Sequence, residues 1–194
     1  MTPRERLLRA VVAWFAAHGV GETSLRTLAR EIGTSHRMLI YHFGSREGLL
    51  AEVVGVVERG ERDVMRQLLA EHDDPYAAGA AFWAHVADAA QTFAPLFFEL
   101  SGHAMQGKPY AASLRDWLAE GWAGPLSDGF RRSGVGGEDA GDLARESLAM
   151  ARGLLFELAI TGDRGAADAA MARYTEQVRQ RIASLGGAGS GVAG

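Results

Sequence analysis

Apolar residues recur at intervals of three and four along almost all of the 194-residue chain, and strand-like alternation of apolar and polar residues is missing. Spacing of three and four gathers side chains on one face of an α-helix, whereas alternation would indicate a β-strand. Only five prolines interrupt the pattern, and hydrophobic residues make up 47% of the sequence. The sequence therefore predicts an all-α globular protein with a substantial core.

The first fifty residues contain two short predicted helices joined by a tight turn. Thr23 or Ser24 is placed to cap the first of them, in which apolar residues form one stripe. The sequence Gly-Thr-Ser at 33–35 ends that helix, and Ser35 can cap the next one, residues 36–43. A short helix, a turn that contains glycine and a second short helix are the parts of a DNA-reading helix-turn-helix.

The second helix of this pair has an unusual surface for a soluble protein. Leu39 and Phe43 lie four residues apart and can both point inward. The outer and flanking positions then carry His36, Arg37, Met38, Ile40, Tyr41 and His42. Arginine pairs with guanine, apolar side chains contact thymine methyl groups, and tyrosine and histidine can bond phosphate. The alternative is a small three-helix bundle in which the same aromatic and histidine residues simply pack.

The charge is distributed unevenly along the chain. Residues 1–50 contain seven arginines and four glutamates, a net charge of +3, although the whole chain has a formal charge of −4. The remaining residues contain thirteen basic and twenty acidic side chains, a net charge of −7. A basic N-terminal segment on an acidic remainder favours nucleic-acid binding by the first segment alone.

The segment TSLRTLAREIGTSHRMLIYHFGSREGLL, residues 23–50, resembles the DNA-binding motif of the TetR family of bacterial regulators. The resemblance implies that backbone phosphates are contacted by Thr23, Ser24, Arg26, Ser35, His42 and Arg46. It further implies that bases or their flanks are faced by His36, Arg37, Met38 and Tyr41. Members commonly have tyrosine where this chain has Ile40, and tyrosine follows at Tyr41, so either residue could make the usual backbone contact.

The resemblance also implies a ligand-responsive regulator, usually a repressor, that a small molecule releases from its operator. One helix-turn-helix reads too few base pairs for tight specific binding. We therefore expect a homodimer on a palindromic site in double-stranded DNA. The rival interpretation is a helical protein-interaction module without DNA activity.

Aromatic residues are concentrated beyond residue 80, where they could line a ligand pocket. The candidates are Phe82, Trp83, Phe93, Phe97, Phe98, His103, Trp117, Trp122 and Phe156. Aromatic residues at helical spacing more often form plain core, so that alternative stays open for each of them. The candidates for a dimer interface are Leu148, Ala151, Leu155, Leu158 and Tyr174, with packing inside one chain as the equal alternative.

The pattern of caps and breaks predicts three segments: a DNA-binding domain over 1–46, an effector-binding and dimerisation domain over 47–185, and a flexible tail over 186–194. Thr2 and Glu5 form a candidate capping box for a first helix that ends near His18. Further helices are predicted over 46–71, 75–92, 95–105, 110–132, 139–161 and 165–185.

Several classes of function are disfavoured by the sequence. Cysteine is absent, which excludes disulfides, thiol nucleophiles and cysteine-based zinc sites. The six histidines lack metal-ligand spacing, and no G-x-S-x-G motif occurs, so neither a metal site, a cofactor nor an enzymatic activity is expected. Without a signal peptide or a long apolar stretch, a cytoplasmic protein with no membrane contact is expected.

Overall fold

The computed structural model describes residues 1–72, 74–116, 118 and 123–188, and its regular elements are helical throughout these ranges. The helices are α1 (Pro3–His18), α2 (Leu25–Glu31), α3 (His36–Phe43), α4 (Arg46–Glu71), α5 (Pro75–Asp88), α6 (Ala90–Met105), α7 (Ala112–Asp116), α8 (Ala123–Arg132), α9 (Gly137–Thr161) and α10 (Arg164–Ala188). A 3₁₀ turn, Pro109–Ala111, precedes α7. The all-α prediction is confirmed. No helix in the ranges given is both long enough and apolar enough to cross a membrane.

The N-termini of the first three helices are fixed by the caps that the sequence predicted. The Thr2 hydroxyl accepts a hydrogen bond from the Glu5 N–H at 3.1 Å, and the Glu5 carboxylate accepts one from the Thr2 N–H at 2.8 Å. Ser24 and Ser35 each accept a bond, both 3.2 Å long, from the N–H three residues further on. Because these side chains occupy donors that a helix start leaves unpaired, they set where each helix begins.

The chain folds into two compact units. Unit 1 comprises residues 1–61 and 91–118, and unit 2 comprises residues 62–90 and 119–194. In unit 1, Val11 of α1, Leu39 of α3 and Leu49 of α4 are fully buried, and α2 packs on α3. The predicted boundary between the DNA-binding domain and the effector-binding domain, after residue 46, falls at the start of α4. That the two functions divide at this point stays a prediction.

Unit 2 is held together by packing between helices and by a polar network at the start of α10. Helix α9 packs on α8 and on α10. The Trp83 indole N–H donates to Asp168 at 2.7 Å, and Arg164 donates to both Asp168 oxygens at 2.8 and 2.9 Å and to Asp88 at 2.6 Å. The hydrogen bonds from Arg164 and then from Trp83 hold the pKa of Asp168 below its usual range. The network thereby joins α5 to α10.

Two predicted helix boundaries in the middle of the chain are wrong. Helix α5 ends at Asp88 instead of continuing to residue 92, and α6 begins at Ala90 and contains Pro95 instead of starting there. Proline lacks the N–H that would bond to the carbonyl four residues earlier, which normally disfavours such a position. Burial of the neighbouring Ala94 and Leu96 offsets this loss, because helices in proteins are stabilised mainly by the apolar face they bury.

The predicted helix over 110–132 is also wrong as a single element. The described part contains the 3₁₀ turn, α7 and α8, while residues 117 and 119–122 lie outside the described residues. Helix α10 extends to Ala188, so the first three residues of the predicted tail are helical, and residues 189–194 again lie outside the described ranges. A helix that has already nucleated gains further residues at little cost, which carries it past the last favourable position.

Candidate nucleic-acid interface

Helix α3 has one buried and one exposed face. Leu39 is fully buried and Phe43 is 8% exposed, as their four-residue spacing predicted. The exposed positions are those of His36, Arg37, Met38, Ile40 and Tyr41. Tyr41 is 78% exposed and Ile40 only 38%, so Tyr41 has the better access to a nucleic-acid backbone. The structure thus brings the predicted base-reading residues together on one outer surface.

Five of the predicted phosphate-contacting residues lie on α2 and α3 or directly before them. Ser24 and Ser35 are exposed N-cap residues, and Arg26 is exposed two residues after Ser24. Thr23, just before the cap of α2, and His42, in the last turn of α3, are half-buried. All five belong to unit 1. Their contact with phosphate stays a prediction.

Arg46, the sixth of these residues, is bonded to the backbone of its own unit. Its Nε donates to the Thr23 carbonyl at 3.0 Å, and its Nη2 donates to the Gly21 carbonyl. A guanidinium has five N–H donors, so these two bonds leave others available. Arg46 therefore holds the turn between α1 and α2, and the phosphate contact predicted for it remains untested.

Arg4, which the sequence reasoning did not select, supports the end of α3. Its Nη2 lies 2.7 Å from a Glu52 carboxylate oxygen, and its guanidinium carbon lies 5.4 Å from the centre of the Phe43 ring. These contacts connect the first turn of α1 to α3 and α4. Both partners are far from Arg4 in sequence, so local spacing contained no signal for them.

Glu99 of α6 is the second residue that sequence reasoning did not assign to the interface. Its Oε2 accepts a hydrogen bond from the Val20 N–H at 2.7 Å, and its Oε1 accepts one from the Gly21 N–H at 2.8 Å. The one feature of the sequence that could have singled out Glu99 is that it is the single carboxylate in the apolar, aromatic stretch 93–100. The residues that bind it lie 78 and 79 positions away in the chain.

Comparison with known proteins places this arrangement in a family. Residues 7–53, which include all of α2 and α3, match the model of bacterial regulatory proteins of the tetR family. This segment carries the DNA-binding motif of the TetR family. The chain is therefore a transcriptional regulator of the DNA-binding type, and the resemblance inferred from residues 23–50 is confirmed.

Relatives extend the likeness beyond the TetR motif. The HTH-type transcriptional regulatory protein RaaS of Mycobacterium tuberculosis is 28% identical over 165 residues, which cover 85% of this chain and 70% of RaaS. A transcriptional regulator from Rhodococcus sp. Rha1 superposes with a TM-score of 0.75 at 22% identity, over 92% of this chain and 97% of that chain. A TetR transcription regulator from Haloarcula marismortui gives a TM-score of 0.74 at 18% identity, over 90% and 96%. These two structures show a shared fold.

Unit 2 contains a cavity of about 90 Å³. Its lining comes from the end of α4 and from α5, α8, α9 and α10: Met65, Pro75, Tyr76, Gly79, Phe82, Trp83, Leu126, Phe130, Ser147, Leu148, Ala151, Met171, Tyr174, Thr175 and Val178. None of these described lining residues is charged. Two of the predicted pocket residues, Phe82 and Trp83, therefore meet at one cavity, although ligand binding by them remains a prediction.

The polar side-chain groups at the cavity are hydroxyls and the Trp83 indole N–H, which donates to Asp168. Tyr174 and Ser147 are hydrogen-bonded to each other through their side-chain oxygens at 3.1 Å, and burial raises the pKa of the Tyr174 phenol. Burial likewise raises the pKa of the Tyr76 phenol, while the nearby Arg179 acts to lower it. Both phenols are therefore protonated near neutral pH and can donate a hydrogen bond. The Arg179 guanidinium carbon lies 4.7 Å from the centre of the Tyr76 ring.

The other predicted pocket residues are distributed elsewhere. Phe93, Phe97, Phe98 and His103 belong to unit 1, where Phe97 is buried against its neighbours and the His103 ring nitrogen lies 3.0 Å from the Tyr110 hydroxyl. Phe156 is 51% exposed on α9. Trp117 and Trp122 lie outside the described residues.

The predicted dimer-interface residues divide into two groups. Leu148, Leu155 and Leu158 are buried within unit 2, and the intrachain packing that the sequence left open describes their environment. Ala151 and Tyr174 are half-buried and line the cavity. The apolar residues of α9 that do face outward are Met150, Phe156 and Ile160, at 38%, 51% and 69% exposure. Of these three, Phe156 had been predicted as a pocket residue.

Proposed function

We propose that this chain represses transcription as a homodimer on a palindromic operator and that a small molecule bound in the unit 2 cavity releases it. The observation that carries the DNA-binding part is the outer face of α3, which presents Arg37 and Tyr41 on a helix anchored by buried Leu39 and Phe43. No acidic residue interrupts the sequence from Ile32 to Arg46. Such a face meets the requirements for major-groove readout combined with phosphate contact.

Dimerisation is supported by the outer face of α9. Met150, Phe156 and Ile160 expose apolar surface on the same long helix, and Phe156 and Ile160 are separated by one helical turn. Next to Met150 a surface groove of about 490 Å³ runs between α9 and α10. Exposed apolar patches of this kind are typical of interfaces between subunits. Two copies joined here would supply the two recognition helices that a palindromic site requires.

The chemistry of the cavity favours a small, neutral and largely apolar ligand with one group that accepts a hydrogen bond. Aromatic and aliphatic side chains form most of the lining, and the Tyr76 and Tyr174 phenols supply donors. A protein from Saccharomonospora viridis with the same fold, 20% identical with a TM-score of 0.66, was solved in complex with choline. In this chain a cation is disfavoured, because the described lining has no carboxylate and Arg179 already covers the Tyr76 ring.

The decisive experiment for the DNA-binding function is selection of bound sequences from random double-stranded DNA at a stated salt concentration. We expect enrichment of one motif with two-fold symmetry whose half-sites are about one helical turn or a multiple of it apart. Binding should weaken steeply with salt, because contacts to phosphate release counterions. A helical interaction module without DNA activity would enrich no motif, and that outcome contradicts the proposal.

The ligand part is tested by filling the cavity with Gly79→Leu. A Cβ at Gly79 meets no atom within 4 Å, so the added side chain can enter the cavity without displacing the backbone. Phenol serves as the probe of a neutral aromatic molecule with one hydroxyl. At about ten times its Kd it should stabilise the wild type by roughly 1.4 kcal/mol, which raises Tm by about 3–6 °C. The variant should show no such shift.

Gly141→Leu is the matched control for this measurement. Gly141 also lies within a helix of unit 2 and also has no neighbour within 4 Å of a built Cβ, but it does not line the cavity. We expect it to retain the phenol-induced increase in Tm. Equal shifts in the Gly79→Leu variant and the wild type, or stabilisation by choline in place of phenol, would contradict the assignment of ligand class.

A further inference from the structure

We propose that Glu99 is a positioning residue for DNA binding, because its carboxylate fixes the turn between α1 and α2 and thereby the start of α2. This inference rests on the proposed DNA-binding function. Glu99 lies on α6, far outside the sequence segment 7–53 that matches the family model. A helix that does not belong to the DNA-binding motif thereby has a role in DNA binding.

The contact between Glu99 and the turn is bidentate. One carboxylate oxygen accepts the Val20 N–H at 2.7 Å and the other accepts the Gly21 N–H at 2.8 Å. Hydrogen bonds to an ionised acceptor are shorter and roughly twice as strong as bonds between neutral groups. Val20 is itself fully buried, so its N–H has little access to water as an alternative partner. The carboxylate thus holds two consecutive backbone donors in a fixed orientation.

The backbone of the turn is shaped to receive this carboxylate. Gly19 has a φ of +77°, and a Cβ built on it would lie 3.1 Å from the Glu99 Oε2. Any larger residue at position 19 would therefore be strained in its backbone and would crowd the carboxylate. The Glu99 carboxylate lies so close to the turn that a glycine at position 19 suits this contact best.

A second charged residue holds the other side of the same turn. Arg46 donates to the carbonyls of Gly21 and Thr23, while Glu99 accepts from the N–H of Gly21. The peptide groups around Gly21 are consequently bonded to an anion from α6 and to a cation from α4. A shift of the turn would break several charge-assisted bonds together.

The turn leads directly into residues that are predicted to contact phosphate. Thr23 is its last residue, Ser24 caps α2, and Arg26 lies in the first turn of that helix. A displaced turn would therefore move the start of α2 away from the DNA backbone while α3 keeps its buried anchors. The expected consequence is weaker binding with fewer bonds to phosphate, and not a general loss of structure.

Glu99→Gln tests the inference, with operator Kd measured at several salt concentrations on the DNA selected with the full-length wild type. The amide keeps one acceptor but turns an NH₂ group towards a backbone N–H. We expect about tenfold weaker binding, equivalent to roughly 1.4 kcal/mol. The slope of log Kd against log salt should fall by about one for each phosphate that the variant no longer binds. The direction of the change in Kd separates a positioning effect from a charge effect, because removal of a negative charge alone would strengthen binding to DNA.

Glu22→Gln is the matched control, since Glu22 is an exposed carboxylate in the same turn and its loss changes the charge equally. It should bind as tightly as the wild type or more tightly, with an unchanged slope. A folded Glu99→Gln variant with an unchanged Kd and slope would overturn the inference, even if its Tm were lower. That result would not affect the proposed DNA-binding function. If that variant does not fold, Glu99→Asp, whose carboxylate is withdrawn by one methylene, is judged by the same two outcomes. Wild-type protein that selects no DNA would instead contradict the proposed function itself.

Discussion

Replacement of Arg37 by alanine is expected to weaken operator binding by about 30-fold to 10⁴-fold. A bidentate arginine contact to guanine contributes roughly 1–3 kcal/mol, and a homodimer would make this contact twice. Arg37 is exposed on α3 and points away from the face that Leu39 and Phe43 bury. Its removal should therefore leave the fold unchanged, with the same Tm and helical content. Fluorescence anisotropy on the selected operator at fixed salt gives the change in Kd.

Arg173→Ala separates the effect of position from the effect of charge. Arg173 is an exposed arginine on α10 in unit 2, so the variant loses the same charge far from α3 in sequence. Its operator affinity should stay within about twofold of the wild type. Equal losses in the two variants would show that Arg37 acts only through net charge. A relaxed preference at one base position in the Arg37→Ala variant would identify the base that the arginine reads.

The second large effect is expected from Ile160→Glu, which should convert the dimer to a monomer. Ile160 is 69% exposed and Phe156, one turn earlier, is 51% exposed, so a carboxylate here costs little in an isolated chain. In a two-fold symmetric interface the substitution occurs twice, and each carboxylate would be buried without a partner. Sedimentation at micromolar concentration should therefore show a single-chain mass. Affinity for the two-half-site operator should fall by at least about a hundredfold, because a monomer binds with only one helix-turn-helix at a time.

Met105→Glu provides the comparison for this variant. Met105 is 85% exposed, and its replacement makes the same change from an apolar to an acidic side chain in unit 1. It should leave the mass as in the wild type and should weaken operator binding far less than Ile160→Glu does. A dimeric Ile160→Glu variant would place the subunit interface elsewhere on the molecule. Loss of the dimer in both variants would point to a general effect of added negative charge.

Local sequence was sufficient for the DNA-binding motif. The capping box of Thr2 and Glu5, the caps Ser24 and Ser35, and the inward pair Leu39 and Phe43 all involve residues no more than four positions apart. Such contacts are decided by helix geometry before any tertiary structure forms. For the same reason the bounds of α3 and α4 agree with the prediction, whereas the break around residue 89 and the division of 110–132 depended on packing between helices.

Only the tertiary structure decided which elements meet. Helical spacing showed that Leu148, Leu155 and Leu158 share a face, but it could not tell whether that face meets the same chain or a second copy, because both environments are apolar. The cavity gathers side chains from five helices, and Glu99 binds a turn 78 residues away. Contacts over such distances leave no periodic trace in the sequence. The sequence by itself thus determined that this chain is helical and carries a DNA-binding motif, while long-range packing decided how that motif is held.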